Sequence, residues 1–262
     1  MARPAFRPAV AVAVVIGVAA VAVVAAIGFT VASLSFRDTE HRTHVLRGAV
    51  SRVVVRGDSG DVSLRPGPAD RVEVRETRRS WLGDPKLDVS LRGGVLDVAV
   101  DCPGFAPACS DDLAIAVPSA AAARGVFDLR TDSGDVAATG VGGPLTMQTD
   151  SGDVTGARLA GATVHGHSDS GDVRLALLAP ARAVTASTDS GDVRLALAAA
   201  AATVKASSDS GDVDVTVPAG RYRIGAETDS GDVALDRVQP DDRAPRRIDA
   251  STDSGDVAVR GR

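Results

Sequence analysis

The sequence predicts an all-β fold: a two-sheet β-solenoid, parallel β-helix-like, of ~20-residue rungs, preceded by one N-terminal transmembrane α-helix. Three observations predict it. Asp-Ser-Gly-Asp-Val occurs eight times, starting at Asp58, Asp132, Asp150, Asp169, Asp189, Asp209, Asp229 and Asp253. Apolar residues alternate with polar or small ones on both sides of the motif. A long uncharged apolar run precedes the first copy.

That run comes first along the chain. Pro8 to Phe36 holds no charged residue, and Val10 to Val31 is almost wholly apolar. Spanning a bilayer takes ~20 apolar residues, whereas the apolar region of a cleavable signal peptide has ~7–15. An uncleaved anchor is therefore expected over 8–36, behind a short cytoplasmic tail at 1–7 and before a juxtamembrane linker at 37–44. Lys and Arg are nearly balanced across the helix, so charge alone does not orient it. A seven-residue tail is easily retained inside, and two cysteines suit an oxidising compartment. The expected topology is single-pass in the cell membrane, with the C-terminal domain extracytoplasmic.

Residues 45–118 read as an N-terminal β capping region carrying the first motif. Looser strands follow it at Arg71–Glu76, Leu87–Leu91, Val95–Val100 and Leu113–Val117, with a Gly93-Gly94 hairpin signal between two of them. Cys102 and Cys109 bracket the loop between the last two, and a disulfide closing that loop fits an exported protein.

Residues 119–262 are the tandem array, with motif spacings of 18, 19, 20, 20, 20 and 24 residues. Five positions before each motif stand Val53, Phe127, Leu145, Val164, Val184, Val204, Ile224 and Ile248. A second alternation begins at the motif Val and continues through residues such as Leu175, Leu195 and Val215. Period-two patterning with one apolar face is a half-buried strand. Each unit is therefore strand, tight turn, strand, looser turn. An antiparallel meander also satisfies this pattern. The solenoid is preferred because identical residues at identical positions then stack into ladders, and because the column three before the motif narrows to Gly166, Ala186, Ala206, Ala226 and Ala250. The last strand, Val257–Arg260, runs to the terminus and is expected to form an uncapped edge, blunted by Arg260 and Arg262 or paired with another chain.

The motif itself offers two readings. Glycine takes a positive φ and aspartate caps backbone N–H groups, so a structural turn is the simpler one. Stacked turns would also align carboxylates at ~5 Å, and calcium takes six to eight oxygen ligands. The calcium candidates are the paired aspartates Asp132 and Asp135, Asp150 and Asp153, Asp169 and Asp172, and Asp189 and Asp192. Asp209 and Asp212, Asp229 and Asp232, and Asp253 and Asp256 complete the set. Eight equivalent serines argue against catalysis, because no His stands at a constant offset to activate them. His165 and His167 should point outward from one strand as a solvated pair, a shared metal lacking a third ligand. A sugar-cleaving helix would need aromatic platforms, and the array has only Tyr222 and the inward Phe127. No nucleic-acid partner is expected: from Arg37 onward 34 acids face 27 bases.

The repeated Ser-Gly-Asp-Val, the strand Leu113–Pro118 (Leu-Ala-Ile-Ala-Val-Pro) and Arg52–Leu64 together resemble the DUF4097 family of bacterial β-strand-repeat, adhesin-like proteins. The likeness covers about Val45 to Arg262. It implies an envelope-associated β-solenoid, often behind one membrane helix, and implies no established reaction.

The function expected is a non-enzymatic, membrane-anchored scaffold or adhesin-like interaction surface, displaying outward rows such as Arg174, Arg194 and Asp214. An envelope protein or glycan is the expected partner, with no catalytic residues and no cofactor other than calcium. A calcium-binding β-roll-like module is one alternative. The other is a self-assembling solenoid stacking through its C-terminal edge.

Overall fold

Alternation becomes strand wherever the sequence shows it. A computed structural model of the chain describes residues 38–80, 85–102 and 109–262, without the side chains of Asp38, Ser80 and Cys109. The membrane helix expected at 8–36 lies outside them. Among the described residues no helix is long and apolar enough to cross a membrane. Glu40–Arg262 forms one compact unit.

The capping region contributes β1 (Asp38–Leu46), β2 (Arg52–Ser59), β3 (Val62–Gly67) and β4 (Val72–Ser80). It continues with β5 (Lys86–Arg92), β6 (Val95–Asp101) and β7 (Cys109–Pro118). A six-residue helix α1 (Ser119–Arg124) leads into the array. There β8 (Val126–Ser133) and β9 (Val136–Thr139) flank the Asp132 turn, and β10 (Leu145–Ser151) and β11 (Val154–Leu159) the Asp150 turn. Next come β12 (Thr163–Ser170), β13 (Val173–Leu177), β14 (Ala183–Ser190), β15 (Val193–Leu197), β16 (Thr203–Ser210) and β17 (Val213–Val217). The chain ends with β18 (Gly220–Ser230), β19 (Val233–Asp236), β20 (Val238–Pro240), β21 (Arg247–Ser254) and β22 (Val257–Gly261).

These strands build two eleven-stranded sheets, and the pairing throughout the array is parallel. Each motif carries the chain from one sheet to the other, so one unit is one rung. Like pairs with like: Leu145 lies opposite Phe127 and Val164, and Val184 opposite Val164 and Val204. The parallel solenoid is therefore correct and the meander is not.

The inward columns fill the space between the sheets, and Val53, Phe127, Leu129, Val164, Val184 and Val213 are all buried. Each such side chain contributes about 1.5–3 kcal/mol through burial. Packing across the interior is complementary in size. A Cβ at Gly156 would stand 3.3 Å from the Met147 Cε, and one at Gly166 would stand 3.1 Å from Val173 Cγ1. The longest side chain of that column therefore sits where the facing sheet and the next rung both carry glycine.

At both ends the spatial order departs from chain order. At the N-terminal end β2–β3 lies between β6–β7 and β8–β9. There β4 and β5 run antiparallel to β7 and β6, joined to the latter through the Gly93-Gly94 turn. At the C-terminal end β21 pairs with both β16 and β18, and β22 with both β17 and β19. The expectation that Val257–Arg260 forms the free edge is thus incorrect. The chain skips one rung position, forms the Asp229 rung, then returns through β20 to insert the Asp253 rung in the gap. The 24-residue spacing reflects this return. The open edge belongs to the Asp229 rung.

Candidate functional site

The repeated turn is the densest polar feature of the chain. Its glycines share a φ between +117° (Gly60) and +151° (Gly231), a region reserved for glycine. Within the array, up to four kinds of hydrogen bond then join a turn to its neighbours. At the Asp189 copy, the Gly191 N–H donates to the Ser210 carbonyl at 3.0 Å and the Val193 N–H to the Asp212 carbonyl at 2.8 Å. The Thr188 hydroxyl donates to the Gly171 carbonyl at 2.8 Å. The Asp192 N–H donates to Asp172 Oδ1 at 2.7 Å.

The last of these repeats along the stack. Asp135, Asp153, Asp172, Asp192, Asp212 and Asp256 each accept the N–H of the equivalent aspartate on the next rung, at 2.7–2.9 Å. The second oxygens of Asp153, Asp172 and Asp192 face arginines: Arg194 donates to Asp192 at 2.7 Å, and Arg174 to Asp153 at 2.8 Å and also to Asp172. The Asp172 N–H, and then Arg174, hold the Asp153 carboxyl below the usual carboxylate range. Six of the fourteen calcium candidates, Asp135, Asp153, Asp172, Asp192, Asp212 and Asp256, therefore belong through their carboxylates to a backbone ladder, and Asp232 joins it through its N–H alone. The other seven, Asp132, Asp150, Asp169, Asp189, Asp209, Asp229 and Asp253, form an exposed file on the outside of the turn. Desolvation, with the like charges of Asp150 and Asp58, raises the Asp132 carboxyl above its ordinary value. Among the described residues no group of three or more His, Cys, Asp or Glu is placed to hold a metal ion.

The residue before the motif has a role that sequence reasoning missed. Thr149, Ser168, Thr188, Ser208, Thr252 and Thr228 are inward-facing, and each hydroxyl donates to a glycine carbonyl one rung away, at 2.7–2.9 Å. The signal was legible. A position that admits only Thr or Ser beside a buried column needs a short hydroxyl, because a buried carbonyl without a donor is costly.

A degenerate ninth copy was also missed. Leu113 pairs with Val62, so Cys109-Ser110-Asp111-Asp112-Leu113 stacks on Asp58–Val62. Asp112 keeps the ladder by accepting the Asp61 N–H at 3.2 Å. Asp111 stands in the glycine slot, 2% exposed, and neither of its carboxyl oxygens has a hydrogen-bond partner. Burial, then the charge of Glu76, pushes the Asp111 carboxyl up to about 7. Glu76 is itself buried, held by Arg78 at 2.8 Å and His44 at 3.4 Å. Cys102 is disulfide-bonded, and its N–H donates to Asp58 Oδ2 at 2.9 Å. The Cys109 side chain lies outside the described ones.

His165 and His167 both point outward from β12. Burial, then His167 and Arg130, lower the His165 imidazole below its ordinary value. His167 lies 2.9 Å from Ser187 Oγ through Nδ1 and 2.9 Å from Asp169 Oδ1 through Nε2. This has the membership of a Ser-His-Asp relay, but it sits on a flat sheet face. β14, which carries Ser187, is paired on both sides with β12 and β16, leaving no pair of free backbone N–H groups to hold an oxyanion. The contact is a clamp between rungs. Phe127 and Tyr222 are both buried, and the Tyr222 hydroxyl donates to the Pro218 carbonyl at 2.7 Å.

Outside the turns, the outer face of the sheet containing β11, β13, β15 and β17 carries a shallow groove of about 370 Å³. Ala176 and Ala196 form its floor, and Arg174, Arg194 and Asp214 line one side in register.

Stacked turns joined by a carboxylate–backbone ladder, with flat display faces outside, define a two-sheet parallel β-solenoid of the repeat class. A family model described as Toastrack DUF4097 matches residues 26–260, and the chain belongs to that family. A search of curated proteins finds no match. Among solved structures, a candidate adhesin from Bacteroides fragilis is 15% identical, with 85% of this chain and 97% of that chain covered at a TM-score of 0.52. A candidate lipid-binding protein from Parabacteroides distasonis is 10% identical, covering 85% and 96% at 0.41. A candidate cell adhesion protein from Clostridium sporogenes is 9% identical, covering 86% and 100% at 0.35. The first shares the fold.

Proposed function

We propose that this chain is a non-enzymatic, membrane-anchored extracytoplasmic scaffold whose outer sheet faces form an adhesin-like interaction surface in the cell envelope. One observation carries the reading: the repeated polar groups are directed into holding rungs together. Asp192 Oδ1 is taken by the Asp212 N–H and Gly171 O by the Thr188 hydroxyl. What remains is display. The in-register Arg174, Arg194 and Asp214 beside an alanine-floored groove suit a partner that lies along several rungs, such as an extended envelope polypeptide or glycan chain. The apolar run at 8–36 supports the anchor, and Cys102 in a disulfide supports an oxidising compartment.

Protease treatment of intact cells whose outer barrier has been opened tests the reading. The full chain is expected in the membrane fraction, trimmed from outside to a short anchored stub. Full-length chain in the soluble fraction, or protection until the membrane is lysed, would overturn it.

A further inference from the structure

The Asp229 rung is unlike every internal rung. In the Asp253 rung beside it, Val257 and Val259 are 0% exposed, whereas Val233 and Leu235 at the same positions are 45% and 43% exposed. Ile224 and Ala226 opposite them are only partly covered. The interior of the solenoid thus opens onto solvent at this end, and the ladder stops with it. Gly255 N–H and Val257 N–H donate to Ser230 and Asp232 of the Asp229 rung. The matching Gly231 N–H and Val233 N–H face outward, as does Asp232 Oδ1. An unpaired edge with exposed apolar side chains is a template for another strand.

We infer that this end pairs tail to tail with the same end of a second copy of the chain, about a two-fold axis. Three features select that occupant. First, the backbone of the Asp229 rung already pairs with strands of this sequence, β21 and β22, in parallel on its inner side, and its outer side leaves the same groups open to a further strand. Second, the opposite end is a poorer match. Its outermost strand in the β19 sheet is β1, where exposed Glu40, His41 and Arg42 precede one exposed large apolar side chain, Val45, against the two of β19, Val233 and Leu235. An isologous pair is therefore favoured over head-to-tail filaments. Third, charge agrees with antiparallel pairing. β18 carries Arg223 toward one end and Glu227 and Asp229 toward the other, so two antiparallel copies bring each end beside its opposite. β20 covers only Gly220 to Tyr222 of that edge.

The end face is two strands wide and one sheet spacing, ~10 Å, deep. That is well below the ~800 Å² per partner of a stable complex, so a single pair is weak. The geometry gives weakness a use. It puts the two N-terminal ends furthest apart, so copies anchored in facing membranes meet at their tips, and many weak pairs add up. The bridging rests on the anchored reading above; the pairing does not.

Sedimentation of the full chain in mild detergent, from about 10 µM to about 1 mM, tests the pairing. Wild type is expected to move from monomer toward dimer and no further. Val233→Asp with Leu235→Lys, two partly exposed positions, is expected to melt like wild type and remain monomeric. Monomer throughout, filaments, or dimers that survive the double variant would each overturn it. Vesicles carrying the full chain are expected to cluster, and those carrying the double variant to stay dispersed. Dimers in detergent without clustering would overturn the bridging and leave the pairing standing.

Discussion

Gly191→Ala is expected to lower the melting temperature by about 10 °C. The φ of Gly191 is +146°, where a side chain costs of order 1–3 kcal/mol whatever the space around it. The space is also absent. A Cβ there would overlap the Gly171 carbonyl group and stand 3.0 Å from Asp172 Oδ1. Relief would need these two rungs to separate, which breaks the Gly171 N–H bond to the Ser190 carbonyl and the Asp192 N–H bond to Asp172 together. A loss of about 3 kcal/mol or more follows, and a domain of this size loses about 2–4 °C per kcal/mol. Gly93→Asn is the control. Gly93 has a φ of +57°, which Asn tolerates, and nothing lies within 4 Å of a Cβ there. Differential scanning calorimetry should show a small shift for Gly93→Asn and a large one for Gly191→Ala. Equal shifts would mean that the turns are not in stacked contact.

Asp111→Asn is expected to stabilise the protein at pH 8 and to leave it nearly unchanged at pH 4. Burial and Glu76 raise the folded Asp111 carboxyl to about 7, against an ordinary value of 3.8. Between those values the folded state holds a proton that the unfolded state has released. Stability from this group is therefore fully present at low pH and falls as pH rises, by at most ~1.4 kcal/mol per unit, flattening above about pH 7. Integrated over the window, the effect is of order 4 kcal/mol. Asn has the shape of the protonated acid and cannot ionise. The groups facing Asp111 are Glu76 and Arg78 on β4 and its neighbour Asp112, with His44 of β1 behind Glu76. All remain in the variant, so the difference between the two proteins isolates Asp111. Chemical denaturation at the two pH values should give a gap at pH 8 that closes at pH 4. A gap independent of pH would show that Asp111 is ionised or solvated throughout.

Both residues show what the sequence made legible. The Gly191 turn followed from repetition alone, because a motif flanked by period-two apolar columns leaves few ways to bury Val184, Val193 and Leu195 together. Parallel stacking followed from the identity of those columns. The order of the rungs did not. Spacing says that a unit exists and is silent on which neighbour it pairs with, so the Asp253 rung read as terminal while it packs between the Asp209 and Asp229 rungs. Asp111 was hidden for a related reason. Its copy of the motif has lost both the glycine and the first aspartate, and only the register of Leu113 against Val62 reveals it. The His167–Ser187 contact joins residues twenty positions apart that become neighbours only when rungs stack.

The central claim is that the motif carboxylates hold the backbone of the next rung and do not hold a metal ion. Thermal melting of wild type, Asp192→Asn and Asp192→Ala, each in chelator and in millimolar calcium, tests it most directly. Asn keeps an Oδ1 acceptor for the Asp212 N–H and loses only the exposed pair with Arg194, worth about 0–1 kcal/mol. Ala leaves that N–H without a partner, at about 1–3 kcal/mol. The predicted result is a small shift for Asn, a larger one for Ala, and no movement of any curve with calcium. A wild-type curve that rises with calcium, in a manner abolished by Asp192→Asn, would contradict it.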